Sequence, residues 1–130
     1  MRLPAEWERH EATWIAWPHE KTDWPGKFAP IPWIYAQIVR HLARAEKVRI
    51  LVNDASVERS VRRMLKQADV AMEGVEVFHH RTNRSWTRDY CPLFVRSKAG
   101  IELTHWRFNG WAKYDNCKND DRVPTRINQR

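Results

Sequence analysis

Val48-Arg49-Ile50-Leu51-Val52-Asn53-Asp54-Ala55-Ser56-Val57 is the stretch on which the fold turns. Residues 48–52 form a short apolar run of strand length, and Asn53-Asp54 closes it. Asp54 or Ser56 can then cap a helix whose inner face carries Val57, Val61, Met64 and Leu65. A strand that passes straight into an amphipathic helix sets the rhythm for the rest of the chain. Upstream, Ile34, Ile38, His41, Leu42 and Ala45 recur at helical spacing behind Pro32, which suits a first turn. Before them, Ala12 to Trp17 reads as a buried strand ended by Pro18. Residues 18–30, with Pro18, Pro25, Gly26 and Pro30, read as a loop. Downstream, Gly74 breaks the chain and Val75-Glu76-Val77-Phe78 alternates as a strand does. Leu93-Phe94-Val95, a turn at Lys98-Ala99-Gly100 and the alternating run Ile101 to Phe108 predict a hairpin. The order strand, helix, strand, helix, strand, hairpin is an α/β or α+β pattern.

At 130 residues the chain can form one ordinary domain. Its 42% apolar and 30% charged content is that of a folded protein. The net charge of +7 permits an acidic partner without requiring one, and no run of five like charges forms a basic tail. The two cysteines, Cys91 and Cys117, make neither a disulfide framework nor a metal-ligand spacing. No apolar stretch approaches the roughly 20 residues that span a bilayer, and the first residues lack an apolar signal core. The expected location is the reducing cytoplasm, with no membrane partner. At the other end, Asp120-Asp121-Arg122-Val123-Pro124 reads as a capped helix start, with Pro124 in its first turn. The sequence stops about one turn later, and so short a helix is marginal alone. The expectation is that these residues are the front part of a larger protein.

The segment Arg81-Thr82-Asn83-Arg84-Ser85-Trp86-Thr87-Arg88-Asp89-Tyr90-Cys91-Pro92 obeys neither the helical nor the strand period. It reads as a loop entering a strand. Trp86 and Asp89 stand three residues apart in it, and a flat ring beside a carboxylate suits a planar cation such as a guanidinium. Against this stands a structural reading, with Asp89 tied to Arg84 or Arg88 and Trp86 a core aromatic under the loop.

Several motifs in order resemble the agmatine deiminase family, within the wider group of guanidino-modifying enzymes that includes bacterial peptidyl-arginine deiminase. They are Pro4-Ala5-Glu6-Trp7-Glu8, Glu11 to Pro18, Asp23-Trp24-Pro25-Gly26, Asn83 to Asp89, and Phe108-Asn109-Gly110-Trp111-Ala112-Lys113-Tyr114-Asp115. The resemblance implies a pentein-type five-bladed α/β propeller, of which residues 1–130 supply about the first two strand–helix modules as one truncated domain. It implies hydrolysis of agmatine to N-carbamoylputrescine and ammonia, a step of putrescine synthesis. No metal or organic cofactor is needed. A cysteine thiolate attacks the guanidinium carbon, a histidine serves as acid and base, and carboxylates hold the fork of N–H donors.

Carried over residue by residue, the resemblance makes Asp89 the catalytic carboxylate that grips the guanidinium and Trp86 a wall of the pocket. Asp23 and Trp24 become candidates for its mouth, although a turn preceding the helix fits them equally. Trp111 falls where the peptidyl-arginine enzymes carry arginines for the substrate carboxylate, and Gly110-Trp111 offers no positive charge, which favours agmatine. Arg88 is assigned to scaffolding. Cys91 stands where the family has glycine, so a strained or left-handed backbone is expected there. His79 and His80 read as a strand end, one inward and one outward, and Cys117 as incidental. The family's catalytic histidine, aspartate and cysteine lie beyond residue 130, so the 130-residue chain is expected to be inactive alone. The alternatives are a guanidinium-binding module without turnover, completed in one version by oligomerising, and a peptidyl-arginine deiminase. A basic nucleic-acid binder ranks last, because most tryptophans sit inside apolar runs. Open strand edges predict self-association.

Overall fold

In the computed structural model, which describes residues 1–129, two crossover units build a parallel three-stranded sheet. Its strands are β1 (Ala12–Ala16), β2 (Lys47–Val52) and β3 (Val75–His79), in that spatial order. Helix α1 (Ile31–Leu42) joins the first pair and α2 (Ala55–Gln67) the second. Both pack on one face of the sheet, where Ala36, Val39, Val61 and Leu65 meet Val48, Ile50 and Val52. The pleat explains the division: Val48, Ile50 and Val52 point to the helices, while Leu51 between them points to the other face. Register follows the same alternation, with Ile15 beside Ile50 and Ile50 beside Val77. Asp54 caps α2 by accepting from the Ser56 and Val57 amides at 2.8 and 2.9 Å.

The opposite face of the sheet is covered only in part. Short helix α3 (Thr87–Tyr90), the antiparallel hairpin β4 (Leu93–Ser97) and β5 (Gly100–Thr104), and helices α4 (Lys118–Asp121) and α5 (Val123–Asn128) gather there. Tyr90, Val123 and Ile127 pack on Ala16 and Leu51, with Trp14, Phe78 and Phe108 around them. Where this cover stops, a concavity of about 440 Å³ opens between Trp14 and Phe78 on the sheet and Phe94 and Leu103 on the hairpin. Beside it, Arg49 lies 5.5 Å over Trp14 and bonds Glu76 and Glu11. No helix among the described residues is long and apolar enough to cross a membrane.

Four expectations from the sequence change. The run 81–92 is not a plain loop, because α3 forms a turn of helix inside it. Strand β5 ends at Thr104, four residues short of Phe108. Helix α1 buries Ala36 and Val39, whereas Ile34 and Ile38 of the apolar repeat are 49% and 42% exposed. Asp120 does not cap α5. It lies in α4 with its carboxylate turned inward, and Arg122 precedes α5 without a side-chain cap.

Candidate functional site

Residues 82–90 are fixed from three sides before their functional atoms are placed. From α4, the fully buried Asp120 accepts the amides of Asn83 and Arg84 at 2.6 and 3.3 Å. Asn83 returns the contact, since its Oδ1 accepts the Asn119 amide at 2.8 Å. From the segment that follows β1, both ring nitrogens of His19 face carbonyls, Trp17 at 3.0 Å and Thr82 at 3.1 Å. From the end of β2, Asn53 accepts the Thr82 amide at 2.9 Å. Tyr90, the buried last residue of α3, donates its hydroxyl to the Arg84 carbonyl at 2.8 Å.

Arg84 is the hub of this loop, buried like its partner Asp23. Its guanidinium donates to Asp23 Oδ1 at 2.7 Å, Thr22 Oγ1 at 3.1 Å and Asn116 Oδ1 at 3.2 Å, and lies 4.3 Å over the Tyr114 ring. Asp23 Oδ2 accepts the indole N–H of Trp86 at 3.2 Å, and Trp24 stacks on Trp86 with ring centroids 5.8 Å apart. The turn Lys21–Asp23, started by Glu20 accepting the Thr22 amide, together with Trp24 just after it, carries both contacts to Trp86.

Asp89 is exposed at the middle of α3. Its Oδ1 accepts the indole N–H of Trp111 at 3.2 Å. Trp111 is held edge-on by Phe108 and Tyr114, at 5.0 and 6.0 Å. Its backbone is unusual: Gly110, Trp111 and Ala112 have φ of +62°, +57° and +53°, a left-handed region that only glycine enters without cost. A side chain at Gly110 would also press on Cys117, whose Cβ is 3.2 Å from the position of the missing Cβ.

The structure therefore gathers Trp86, Asp89, Trp111, Asp23 and Trp24 around one loop. The ion pairs expected for Asp89 go elsewhere, for Arg84 bonds Asp23 and Arg88 bonds Glu6 of the N-terminal segment. Trp86 is 41% and Trp111 42% exposed, so neither is a core residue beneath the loop. Cys91 has φ −69° and ψ 153°, an ordinary extended conformation, and the strain expected of a cysteine in a glycine position is absent. Its thiol is partly buried, and that burial, followed by the nearby Asp120 charge, pushes it up to about 12. A thiol so disposed stays protonated and is a poor nucleophile. Burial likewise raises the Asp120 carboxyl to about 6, although the two amides and the charges of His19 and Arg84 favour its ionised form. Among the described residues no cluster of three or more His, Cys, Asp or Glu could hold a metal. What sequence reading missed is the support: Asp120 is a residue of the site's foundation, hidden in a doublet that looked like a cap.

The chain is α/β and presents an exposed Asp89 carboxylate bonded by the half-exposed Trp111 indole, and the comparisons with known proteins name its family. Residues 2–130 match the family described as Porphyromonas-type peptidyl-arginine deiminase, and the chain belongs to it. It is agmatine deiminase-like: it is 30% identical over 133 residues to an agmatine deiminase of Pseudomonas aeruginosa, covering 98% of this chain and 34% of that protein. The agmatine deiminase of Stutzerimonas stutzeri is also 30% identical, over 96% of this chain and 34% of its own length. A solved C. jejuni agmatine deiminase with substrate bound superposes with a TM-score of 0.81 at 23% identity, over 98% of this chain and 36% of that one. The chain spans about a third of the length of these relatives.

Proposed function

We propose that this chain carries the guanidinium-gripping part of an agmatine deiminase. In this reading Asp89 takes paired N–H donors of the guanidinium, and Trp86 and Trp111 flank the cation with ring faces and edges. The observation that carries it is the exposed Asp89 carboxylate, bonded by the Trp111 indole while both neighbouring arginines pair with other acids. A carboxylate without an ion pair among the described residues, its orientation set by Trp111 in a chain of net charge +7, is disposed to receive a cation. Gly110 and Trp111 offer no charge for a substrate carboxylate, which favours agmatine over an arginine-type substrate.

The reaction would hydrolyse agmatine to N-carbamoylputrescine and ammonia in the cytoplasm. A thiolate attacks the guanidinium carbon, ammonia departs, and water releases the thiouronium intermediate. The raised thiol of Cys91 does not suit it for that attack. The cysteine, the histidine and the second carboxylate belong to the remaining modules of a five-bladed propeller, so residues 1–130 alone bind without turning over. Calorimetry with agmatine, paired with an ammonia assay, tests both halves. Binding that Asp89→Asn abolishes, without ammonia release, is expected. Equal binding by Asp89→Asn would end the site assignment, and ammonia release by the 130-residue chain would end the claim of inactivity.

A further inference from the structure

We infer that Asp23 is a positioning residue, which sets the orientation of the Trp86 indole, while Arg84 neutralises the charge this requires. The inference rests on the reading of residues 83–89 as a guanidinium site and deepens it by saying what holds one wall in place.

The geometry divides the task among three neighbours. Stacking by Trp24 fixes the plane of the Trp86 ring but leaves it free to turn within that plane. The bond from Nε1 to Asp23 Oδ2 at 3.2 Å removes that freedom. The other oxygen, Oδ1, is engaged by Arg84 at 2.7 Å. The Asp23 side chain is 5% exposed and that of Arg84 6%. An ionised carboxylate so far from water needs a charged partner, and a ring serving only as packing would not need a carboxylate at all. Arg84 is in turn held by Thr22, Asn116 and the Tyr114 face, so Oδ2 has a fixed position to offer. The bonded partners lie 61 and 63 residues apart in sequence, so the turn at 21–23 belongs to the site through the fold alone. Asp23 reaches the substrate only through Trp86.

The test uses the 130-residue chain with Asp23→Ala and Asp23→Asn, the indole N–H of Trp86 being identified by its loss in Trp86→Phe. In Asp23→Ala, the Trp86 indole N–H should shift and exchange with solvent about tenfold faster, while that of Trp111 stays in place. Agmatine affinity should fall about tenfold, as expected when a wall loses its orientation. Asp23→Asn keeps one oxygen acceptor, and where that oxygen faces Trp86 the indole bond and part of the affinity should return. Trp86→Phe combined with Asp23→Ala should cost no more affinity than either alone. An unmoved Trp86 indole in Asp23→Ala overturns the inference. So does an Asp23→Asn chain that keeps the indole bond yet binds as weakly as Asp23→Ala, because Asp23 would then be touching the cation directly. Undetectable agmatine binding by the unsubstituted chain would sink the guanidinium reading, and the indole signal would still decide whether Asp23 orients Trp86.

Discussion

Asp120 shows how one residue can hold a site and burden it at the same time. Its carboxyl titrates near 6 in the folded chain, above the ordinary aspartate range, because burial outweighs two amide donors. The folded state therefore binds this proton more tightly than the unfolded state does. The stability that protonation brings is fully present below about pH 4 and is lost as pH rises to about 6, a cost on the order of 3 kcal/mol. Asp120→Asn keeps an oxygen for the Asn83 and Arg84 amides and removes the titration. Chemical denaturation across pH 4–7 should show the difference between the two chains changing through that window and flat above it. Glu58 and Glu76, which arginines hold below the usual carboxylate range, act in the opposite sense at lower pH in both chains and cancel in the difference. Cys91 gives a second prediction at this scale. With its thiol near 12 and partly buried, it should resist alkylation at pH 8 in the folded chain and react on unfolding. Asp89 and Trp86 stood out in the sequence because their types and spacing suit a cation, and the proposed site is built on them. Asp120 was not, because an Asp-Asp doublet before Val-Pro looks the same whether it caps a helix or reaches back 36 residues to a loop amide.

Elements were legible wherever a local signal and a packing demand agreed. Helix α2 is the case in point: Asp54 caps it, and Val61 and Leu65 lie on its buried face as the period requires. Leu65→Ala should cost about 2–5 kcal/mol in urea denaturation, the usual loss for a fully buried leucine. Helix α1 misled because it carries two apolar stripes. The one read from the sequence holds the larger residues Ile34 and Ile38, but the sheet accepts the smaller Ala36 and Val39, which permit closer approach of helix to strand. Periodicity gives the angle of a stripe, not which of two stripes turns inward. The end of β5 was overrun for a related reason: alternation continues to Phe108, yet the β4 partners stop at the pair Leu93 and Thr104. The left-handed turn at 110–112 had only Gly110 to announce it. Ala112 is exposed at φ +53°, so Ala112→Gly removes backbone strain and no packing. It should stabilise the fold by about 0.5–1 kcal/mol, read as a raised denaturation midpoint.

At the scale of the whole molecule, surface and charge pull in opposite directions. Five of the eight tryptophans are exposed, against the expectation that most are enclosed in apolar runs. Phe94 and Leu103 share one face of the hairpin with the 63% exposed Ile101, opposite Trp14 and Phe78 across the open concavity. Apolar surface of this kind favours association, while a net charge of +7 on each chain opposes it. Salt then decides between two readings of the same exposed rings. If apolar contact drives association, screening the repulsion should strengthen it, and sedimentation velocity should show a coefficient that rises with protein concentration and rises further with added salt. Phe94→Glu should return the coefficient towards that of a monomer. It should shift the thermal midpoint little, because Phe94 is already 37% exposed. A nucleic-acid binder follows the reverse rule, its affinity for single-stranded oligonucleotide falling steeply with salt because releasing counterions into concentrated salt gains less entropy. A coefficient independent of protein concentration and salt would show that repulsion prevails and that the open face is tolerated by a monomer.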